Sequence, residues 1–143
     1  MAGKISTKIG KCRIILDTSV LLMLYEGIDI IEEIENSLDT KCEFLTLPIV
    51  ISELMKLKNQ RSGWRSKAAA VALRYIKSRV KMFEAGFNRE YSTADDAIID
   101  IAKNYGDEFV YATVDKELKQ KLRELNVPIL TWWFGRRKFV IVT

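Results

Sequence analysis

The chain has 143 residues, of which 48% are hydrophobic and 29% charged, and this length fits a single domain with one hydrophobic core. With only 2 Pro and 7 Gly, the composition excludes disordered, collagen-like and disulfide-scaffold proteins. The absence of His excludes His-based triads and the common zinc sites, so catalysis must depend on carboxylates, hydroxyls, Lys or Arg. Because Cys12 and Cys42 lack CxxC spacing, we expect two buried free thiols.

The sequence contains no uncharged apolar run that approaches the ~18 residues of a membrane span. Lys4, Lys8 and Lys11 near the N-terminus are not followed by the apolar core of a signal peptide. We therefore expect a cytoplasmic protein without a membrane partner. Its expected organisation is a short basic tail over residues 1–11 and one domain over residues 12–143.

The formal net charge is +4, and the positive charge is concentrated in one stretch. The thirty residues between Glu53 and Glu84 contain nine bases and no acid, which leaves 14 bases and all 19 acids in the rest of the chain. Such a run is either a solvated helix face or a surface that contacts phosphates. The length of the acid-free stretch favours phosphate contact.

Short β-branched and aromatic runs predict strands, and apolar residues at helical spacing predict helices. The predicted strands are Arg13–Leu16, Phe44–Leu47, Val80–Phe83, Phe109–Thr113, Val127–Trp132 and Phe139–Val142. The predicted helical segments are Val20–Tyr25 with Ile28–Leu38, Ile49–Leu57, Ser62–Arg79, Ala94–Tyr105 and Asp115–Leu125. Strands that alternate with helices at this interval predict an α/β protein, a three-layer α/β/α sandwich with a mainly parallel central sheet.

Four acids fall where predicted strands end and helices begin. Asp17 follows the first strand, Glu53 lies early in the helix after the second, and Asp96 and Asp115 stand at the starts of later helices. The carboxyl ends of parallel strands share one edge of the sheet, where such folds bind ligands. Singly, each acid is explained as a helix cap, a first-turn acid or a solvated residue. Taken together, they predict an acidic site at this edge.

The segments around these acids resemble the PIN-domain ribonucleases, and the resemblance covers nearly the whole chain. It is carried by Asp17-Thr18-Ser19, by Pro48 to Glu53, by Ala94-Asp95-Asp96-Ala97 and by Thr113 to Leu118. The resemblance implies that Asp17, Glu53, Asp96 and Asp115 are the catalytic, metal-binding acids, supported by the hydroxyls of Ser19 and Thr113. Ser19 stands where the family often has Asn, and a contribution of Asp95 or Asp100 to the metal site stays open.

Oxygen-only ligands favour Mg²⁺ or Mn²⁺ over zinc. Because the chain has no His, a water activated by such an ion is the expected nucleophile. The resemblance implies hydrolysis of a phosphodiester that leaves a 5′-phosphate.

Carboxylates alone would repel an RNA backbone, so we expect basic residues to compensate for them. The residues predicted to bind nucleic acid are Lys56, Lys58, Arg61, Trp64, Arg65, Lys67, Arg136 and Arg137. Trp64, Trp133 and Phe134 are candidates for stacking on unpaired bases, whereas alternation within its strand favours a core position for Trp132.

The predicted function is therefore a Mg²⁺- or Mn²⁺-dependent endoribonuclease that acts in rRNA processing or RNA maturation. Its closing segment, Asn126-Val127-Pro128 with Phe139–Val142, resembles archaeal and eukaryotic PIN proteins linked to small-subunit rRNA processing. The alternatives are a VapC-like toxin ribonuclease and a non-catalytic RNA-binding assembly protein. The expected partners are RNA, with a second copy of the chain, ribosome-assembly factors or an antitoxin as further candidates.

Overall fold

The computed structural model describes residues 12–60, 63–84 and 90–142. Six strands form one sheet in the order β3-β2-β1-β4-β5-β6. Their bounds are β1 Cys12–Leu16, β2 Cys42–Thr46, β3 Lys81–Met82, β4 Val110–Ala112, β5 Ile129–Trp133 and β6 Lys138–Val142. All neighbouring strands pair in parallel except β6, which is antiparallel to β5. The predicted α/β class with a mainly parallel sheet is confirmed.

The described part of the chain contains six α-helices, α1 Thr18–Leu21, α2 Ile30–Leu38, α3 Pro48–Lys58, α4 Trp64–Arg79, α5 Ala94–Tyr105 and α6 Lys116–Glu124. The apolar segment Val20–Tyr25 lies partly in the short α1 and partly in a 3₁₀ turn over Leu22–Glu26. In the sheet, β2 and β3 lie on one side of β1, whereas β4 and β5 lie on its other side. Right-handed crossovers in these two directions place helices on opposite faces of the sheet.

The central strands β1 and β4 are buried on both faces, as parallel strands between helix layers must be. Ile14, Leu16 and Val110 are fully buried there. Because β1 and β4 are neighbours, the residues that follow them, Asp17 and Thr113, meet at one edge. This edge is where the structure gathers the acids.

The expectation of free thiols is wrong, because Cys12 and Cys42 form a disulfide bond. The two residues are register partners on the parallel strands β1 and β2, with their Cα atoms 4.6 Å apart. Neither is fully buried, although both pack against the core. A sequence separation of 30 residues does not reveal that two strands pair in this register.

Reducing the disulfide is expected to destabilise the protein, because the bond closes a loop of 30 residues in the unfolded chain. Loop-closure entropy predicts a loss of roughly 3 kcal/mol. This corresponds to a fall in melting temperature on the order of 10 °C. Thermal melts with and without reductant measure the effect, and the double variant Cys12→Ser/Cys42→Ser is the control in which reductant should change nothing.

The predicted tail over residues 1–11 lies outside the described residues, and the division into tail and domain stays a prediction. Among residues 12–60, 63–84 and 90–142, no helix is long and apolar enough to cross a membrane.

Candidate active site

Asp17 directly follows β1 and is almost completely buried. It occupies the N-cap position of α1, but its side chain does not cap the helix. Instead, its Oδ2 accepts hydrogen bonds from the hydroxyls of Ser19 and Thr113, each at 2.8 Å. Two hydroxyl donors on one carboxylate oxygen hold the side chain in a single orientation.

The same two hydroxyls also hold the loop that leads from β4 into α6. Ser19 Oγ accepts from the backbone N–H of Val114 at 3.1 Å, and Thr113 Oγ1 accepts from that of Asp115 at 3.0 Å. Asp115 then caps α6, since its Oδ1 accepts from the N–H of Leu118 at 2.9 Å. The loop bearing Asp115 is therefore fixed relative to Asp17.

Glu53 lies on α3 and joins two other elements of the site. Its Oε1 accepts a hydrogen bond from the hydroxyl of Thr18, and its Oε2 accepts one from the backbone N–H of Ala94, both at 2.9 Å. A carboxylate at the first N–H groups of α5 is favoured by the helix dipole. Glu53 thus sets the position of α5 and of the two Asp residues that follow Ala94. No sequence motif indicates the contacts of Glu53 with Thr18 and Ala94.

Asp95 lies in the electric field of three other acids. Partial burial and the negative charges of Asp17, Asp115 and Glu53 raise the pKa of Asp95 to about 6, against a weaker opposing effect of Lys121. Repulsion of this kind requires each of the three other carboxylates to lie near Asp95. Asp95 therefore belongs to the same acidic cluster as Asp17, Glu53 and Asp115.

Asp96, the acid indicated by the family resemblance, is exposed to solvent one position further along α5. Its backbone N–H donates to Thr93 Oγ1, the N-cap of the helix. Because successive helical side chains diverge by about 100°, Asp95 and Asp96 face different directions. Asp100 lies a further turn along, where its Oδ2 accepts a hydrogen bond from the Tyr91 hydroxyl at 2.6 Å.

Burial is the main influence on Asp17. It raises the pKa of the Asp17 carboxyl above its usual value, and the hydrogen bonds from Thr113 and Ser19 act in the opposite direction. A carboxylate at this position favours a bound cation, which would compensate for the lost hydration.

Among the residues that the structure describes, no group of three or more Asp, Glu or Cys side chains is close enough together to hold a metal ion as it stands. The donors of the acidic cluster are nevertheless all carboxylate oxygens, and their mutual repulsion is relieved by a cation. Mg²⁺ binds through one or two carboxylates and keeps several waters, so an open cluster suits this ion.

The predicted RNA-binding residues lie at two places. Lys56, Lys58, Trp64, Arg65 and Lys67 are exposed on α3 and α4, and Arg61 lies outside the described residues. The Arg65 guanidinium lies 5.3 Å from the centre of the Trp64 ring. This pairing presents a cation and an aromatic face together on the surface.

The second place is the turn between β5 and β6. Trp133 and Phe134 are exposed, and the Arg136 guanidinium lies 5.0 Å from the centre of the Trp133 ring. Trp132 is buried and packs edge-to-face on Phe139, with ring centres 5.0 Å apart, so its predicted core position is confirmed. β5 ends at the same edge of the sheet as β1 and β4, because these strands are parallel.

The fold and the site together define the class of protein, an α/β domain with an acidic site at the carboxyl edge of its strands. A family model described as PIN like domain matches residues 14–133, and the chain belongs to this family. Ribonuclease VapC4 of Methanocaldococcus jannaschii is 36% identical over 121 residues, which cover 82% of this chain and 88% of the relative. The structure of the PIN domain endonuclease Utp24 matches with a TM-score of 0.72 and 27% identity, covering 90% of each chain. The predicted resemblance is confirmed, and these relatives support a nuclease.

The partial burial of Asp95 and the charge of the neighbouring acids predict a specific pH dependence of stability. Because the folded state raises the pKa of Asp95 from 3.8 to about 6, it binds the proton more tightly than the unfolded state does. This group therefore makes the metal-free protein less stable as the pH rises from about 4 to 6. Replacing Asp95 with Asn should remove that contribution, which is roughly 1–2 kcal/mol after allowance for partial solvent screening.

Melting curves in chelator at several pH values test this prediction. The stability gained by Asp95→Asn over wild type should be near zero at pH 4 and reach its full value at pH 7. Asp96→Asn removes one charge from an exposed position on the same helix turn and is the matched control, in which the gain expected for Asp95→Asn should be absent. A flat difference for Asp95→Asn as well would show that Asp95 does not share the field of the other acids.

Proposed function

We propose that the protein is a metal-dependent endoribonuclease that hydrolyses phosphodiester bonds in RNA. The observation that carries the proposal is that hydrogen bonds hold Asp17, the loop of Asp115, and Glu53 with the start of α5 at the carboxyl edge of the sheet. Partial burial and the charges of Asp17, Asp115 and Glu53 raise the pKa of Asp95 there. The ribonuclease and endonuclease activities named for the two relatives support this chemistry. The site has oxygen ligands only, so Mg²⁺ or Mn²⁺ suits it better than zinc.

Asp17, Glu53 and Asp115 would hold the ion, with Asp95 or Asp96 as the acid from α5. The bound ion would neutralise charge on the scissile phosphate and lower the pKa of the attacking water. The chain's own part is to keep the acids in place: Ser19 and Thr113 orient Asp17, and Thr18 with the Ala94 N–H orients Glu53. Preorganised ligands avoid reorganisation during the reaction.

Binding of the RNA strand is assigned to the exposed cations. Lys56 is exposed and follows Glu53 by three residues on α3, so it lies on the same helix as a site acid. The Trp64 and Arg65 pair on α4 offers stacking to an unpaired base. Arg136 and Arg137 extend the positive charge at the β5–β6 turn. Arg61 stays a prediction from the sequence.

The direct test is cleavage of single-stranded or looped RNA by purified protein. Mn²⁺ or Mg²⁺ should support cleavage and a chelator should abolish it. Because the folded site binds the ion and the unfolded chain does not, free Mn²⁺ at 100 times its dissociation constant should add about 2.7 kcal/mol of stability. An unshifted melt together with no cleavage would favour the non-catalytic RNA-binding alternative.

The cellular role has two candidates. rRNA processing or RNA maturation follows from the resemblance of the closing segment, whereas the 36% identity to a VapC ribonuclease favours a toxin partnered by an antitoxin. Sequencing RNA that crosslinks to the protein in its native cells separates them. rRNA precursors would support processing, and a tightly linked gene for a small DNA-binding protein would support the toxin role. Homodimerisation and ribosome-assembly partners remain proposals.

A further inference from the structure

A cavity of about 250 Å³ lies between α6 and the pair of strands β5 and β6. It is lined by Lys116, Lys119, Gln120, Arg123, Thr131 and Val142, none of which is an acid. The cavity is separate from the acidic cluster, although α6 begins directly after Asp115. We refer to it below as the α6 cavity.

Three cations line one side of the α6 cavity. Lys116, Lys119 and Arg123 are spaced three and four residues apart, which places them in one row along the helix. Leu118 and Leu122, on another side of the same helix, are fully buried and fix its orientation on the sheet. None of the ion pairs in the described part of the chain includes the three cations. Their charge is therefore available to an anion.

Thr131 faces these cations from β5 with an unsatisfied hydroxyl. The residue is only 7% exposed, and its Oγ1 has no hydrogen-bond partner among the described residues. An unpaired buried hydroxyl costs stability and calls for an explanation. Thr131 lines the cavity opposite three cations, and a rotation of its side chain turns the buried hydroxyl toward an anionic oxygen bound there.

The exposed end of the β5–β6 pair lies two residues beyond Thr131 on β5. Side chains alternate along a strand, so Trp133 lies on the same face of β5 as Thr131. Its register partner Lys138 is exposed beside it. From Leu125 to the end of the chain the sequence has three bases and no acid. A positive surface thus runs from the cavity to an exposed aromatic ring.

We propose that the α6 cavity is a phosphate subsite that holds the backbone of the RNA strand cleaved at the acidic cluster. The inference rests on the proposed action on RNA and adds a second contact region to it. Arg binds phosphate through two parallel hydrogen bonds, and Thr131 supplies a neutral donor. The aromatic ring of Trp133 beside Arg136 favours RNA over an acidic peptide, because only RNA offers bases for stacking.

The test measures binding of an unstructured, fluorescently labelled RNA to full-length protein that carries Asp17→Asn, in chelator, so that binding is observed without cleavage. Adding Thr131→Val should weaken binding about tenfold, since a hydrogen bond to a charged group is lost. The slope of log affinity against log salt should not change, because the hydroxyl is neutral. The melting temperature should not fall, because valine fills the same space without an unpaired hydroxyl.

A second variant tests the charges without altering Lys116, the neighbour of Asp115. Lys119→Gln/Arg123→Gln should reduce the salt slope by about 1.4, which is roughly 0.7 for each phosphate contact on single strands. The matched control is Lys41→Gln/Lys103→Gln, which removes the same charge at exposed positions. Lys41 precedes β2 and Lys103 lies in the last turn of α5, both away from the carboxyl edge of the sheet. The control should leave the slope nearly unchanged.

Three results would overturn the subsite. Unchanged RNA binding in both variants would mean that the cavity carries no phosphate of the strand. Stabilisation of the wild type by inorganic phosphate, lost in Thr131→Val while RNA binding is unaffected, would assign the cavity to free phosphate. Binding of labelled polyglutamate that both variants lose, while RNA binding is unaffected, would assign the cavity to an acidic peptide. If the variants lose RNA binding as expected while the wild type fails to cleave with Mn²⁺, the subsite stands and the proposed nuclease fails.

Discussion

Replacing Asp17 with Asn is expected to lower RNA cleavage at least ~100-fold, since even partners of metal ligands cost 10- to 100-fold when removed. The fold should persist, because the amide oxygen of Asn can still accept the hydroxyls of Ser19 and Thr113. Burial raises the pKa of the Asp17 carboxyl, so a neutral side chain is easier to bury there. The metal-free variant should therefore melt at the same temperature as the wild type or higher. Initial cleavage rates in Mn²⁺, together with melts in chelator, measure both effects.

Asp107→Asn is the matched control for this variant. Asp107 is exposed in the 3₁₀ turn before β4, at the end of that strand opposite to the site. Its replacement should leave cleavage at the wild-type rate. If Asp17→Asn cleaves as fast as this control, with contaminating nuclease excluded, the acidic cluster is not the catalytic site.

Much of the fold could be predicted because its signals are local. Thr93 caps α5 through the N–H of Asp96, Pro48 opens α3 at a position that tolerates it, and Gly106 follows the last residue of α5. Each of these signals depends on a few neighbouring residues. The disulfide between Cys12 and Cys42 depends instead on the register of two strands, which no local pattern encodes.

The acidic site could be predicted in outline but not in its contacts. Asp17, Glu53 and Asp115 are indicated by their places after strands or early in helices, and in the structure the charge of each acts on Asp95. The hydrogen bonds from Thr18 and the Ala94 N–H to Glu53 join residues 35 and 41 positions apart. Such contacts arise from packing between α1, α3 and α5, and short sequence motifs do not encode them.

The cations of the α6 cavity are difficult to predict from the sequence for a different reason than the contacts of the acidic site. Acid-free stretches of sequence reveal basic surfaces, but α6 interleaves Glu117 and Glu124 with its bases. On a helix these acids point about a quarter turn away from the row formed by Lys116, Lys119 and Arg123. Grouping the charged residues of α6 by helix face reveals the row of cations. The unpaired hydroxyl of Thr131, in contrast, is evident only in the three-dimensional structure.

The family resemblance and the electrostatics of the structure indicate different acids on α5. The resemblance indicates Asp96, whereas the charges of Asp17, Asp115 and Glu53 act on Asp95. The helix start is fixed by two contacts, Glu53 with the Ala94 N–H and Thr93 with the Asp96 N–H. With the helix held in this rotation, only one of the two adjacent side chains can point fully into the cluster.

We expect Asp95→Asn to lower cleavage at least ~100-fold, as for a lost metal ligand, and Asp96→Asn to change it by only a few-fold. Both variants remove one negative charge from the same helix turn, so each controls for the dipole effect of the other. Asp95→Asn should also weaken the Mn²⁺-induced rise in melting temperature, because the variant binds the ion less tightly. Initial rates over a range of Mn²⁺ concentrations measure both effects: a weakened ligand set shifts the half-maximal concentration upward, whereas a distorted fold lowers the rate at all concentrations. If Asp96→Asn is the inactive variant and Asp95→Asn cleaves normally, the acid that completes the site is the exposed one, and α5 must rotate when the ion binds.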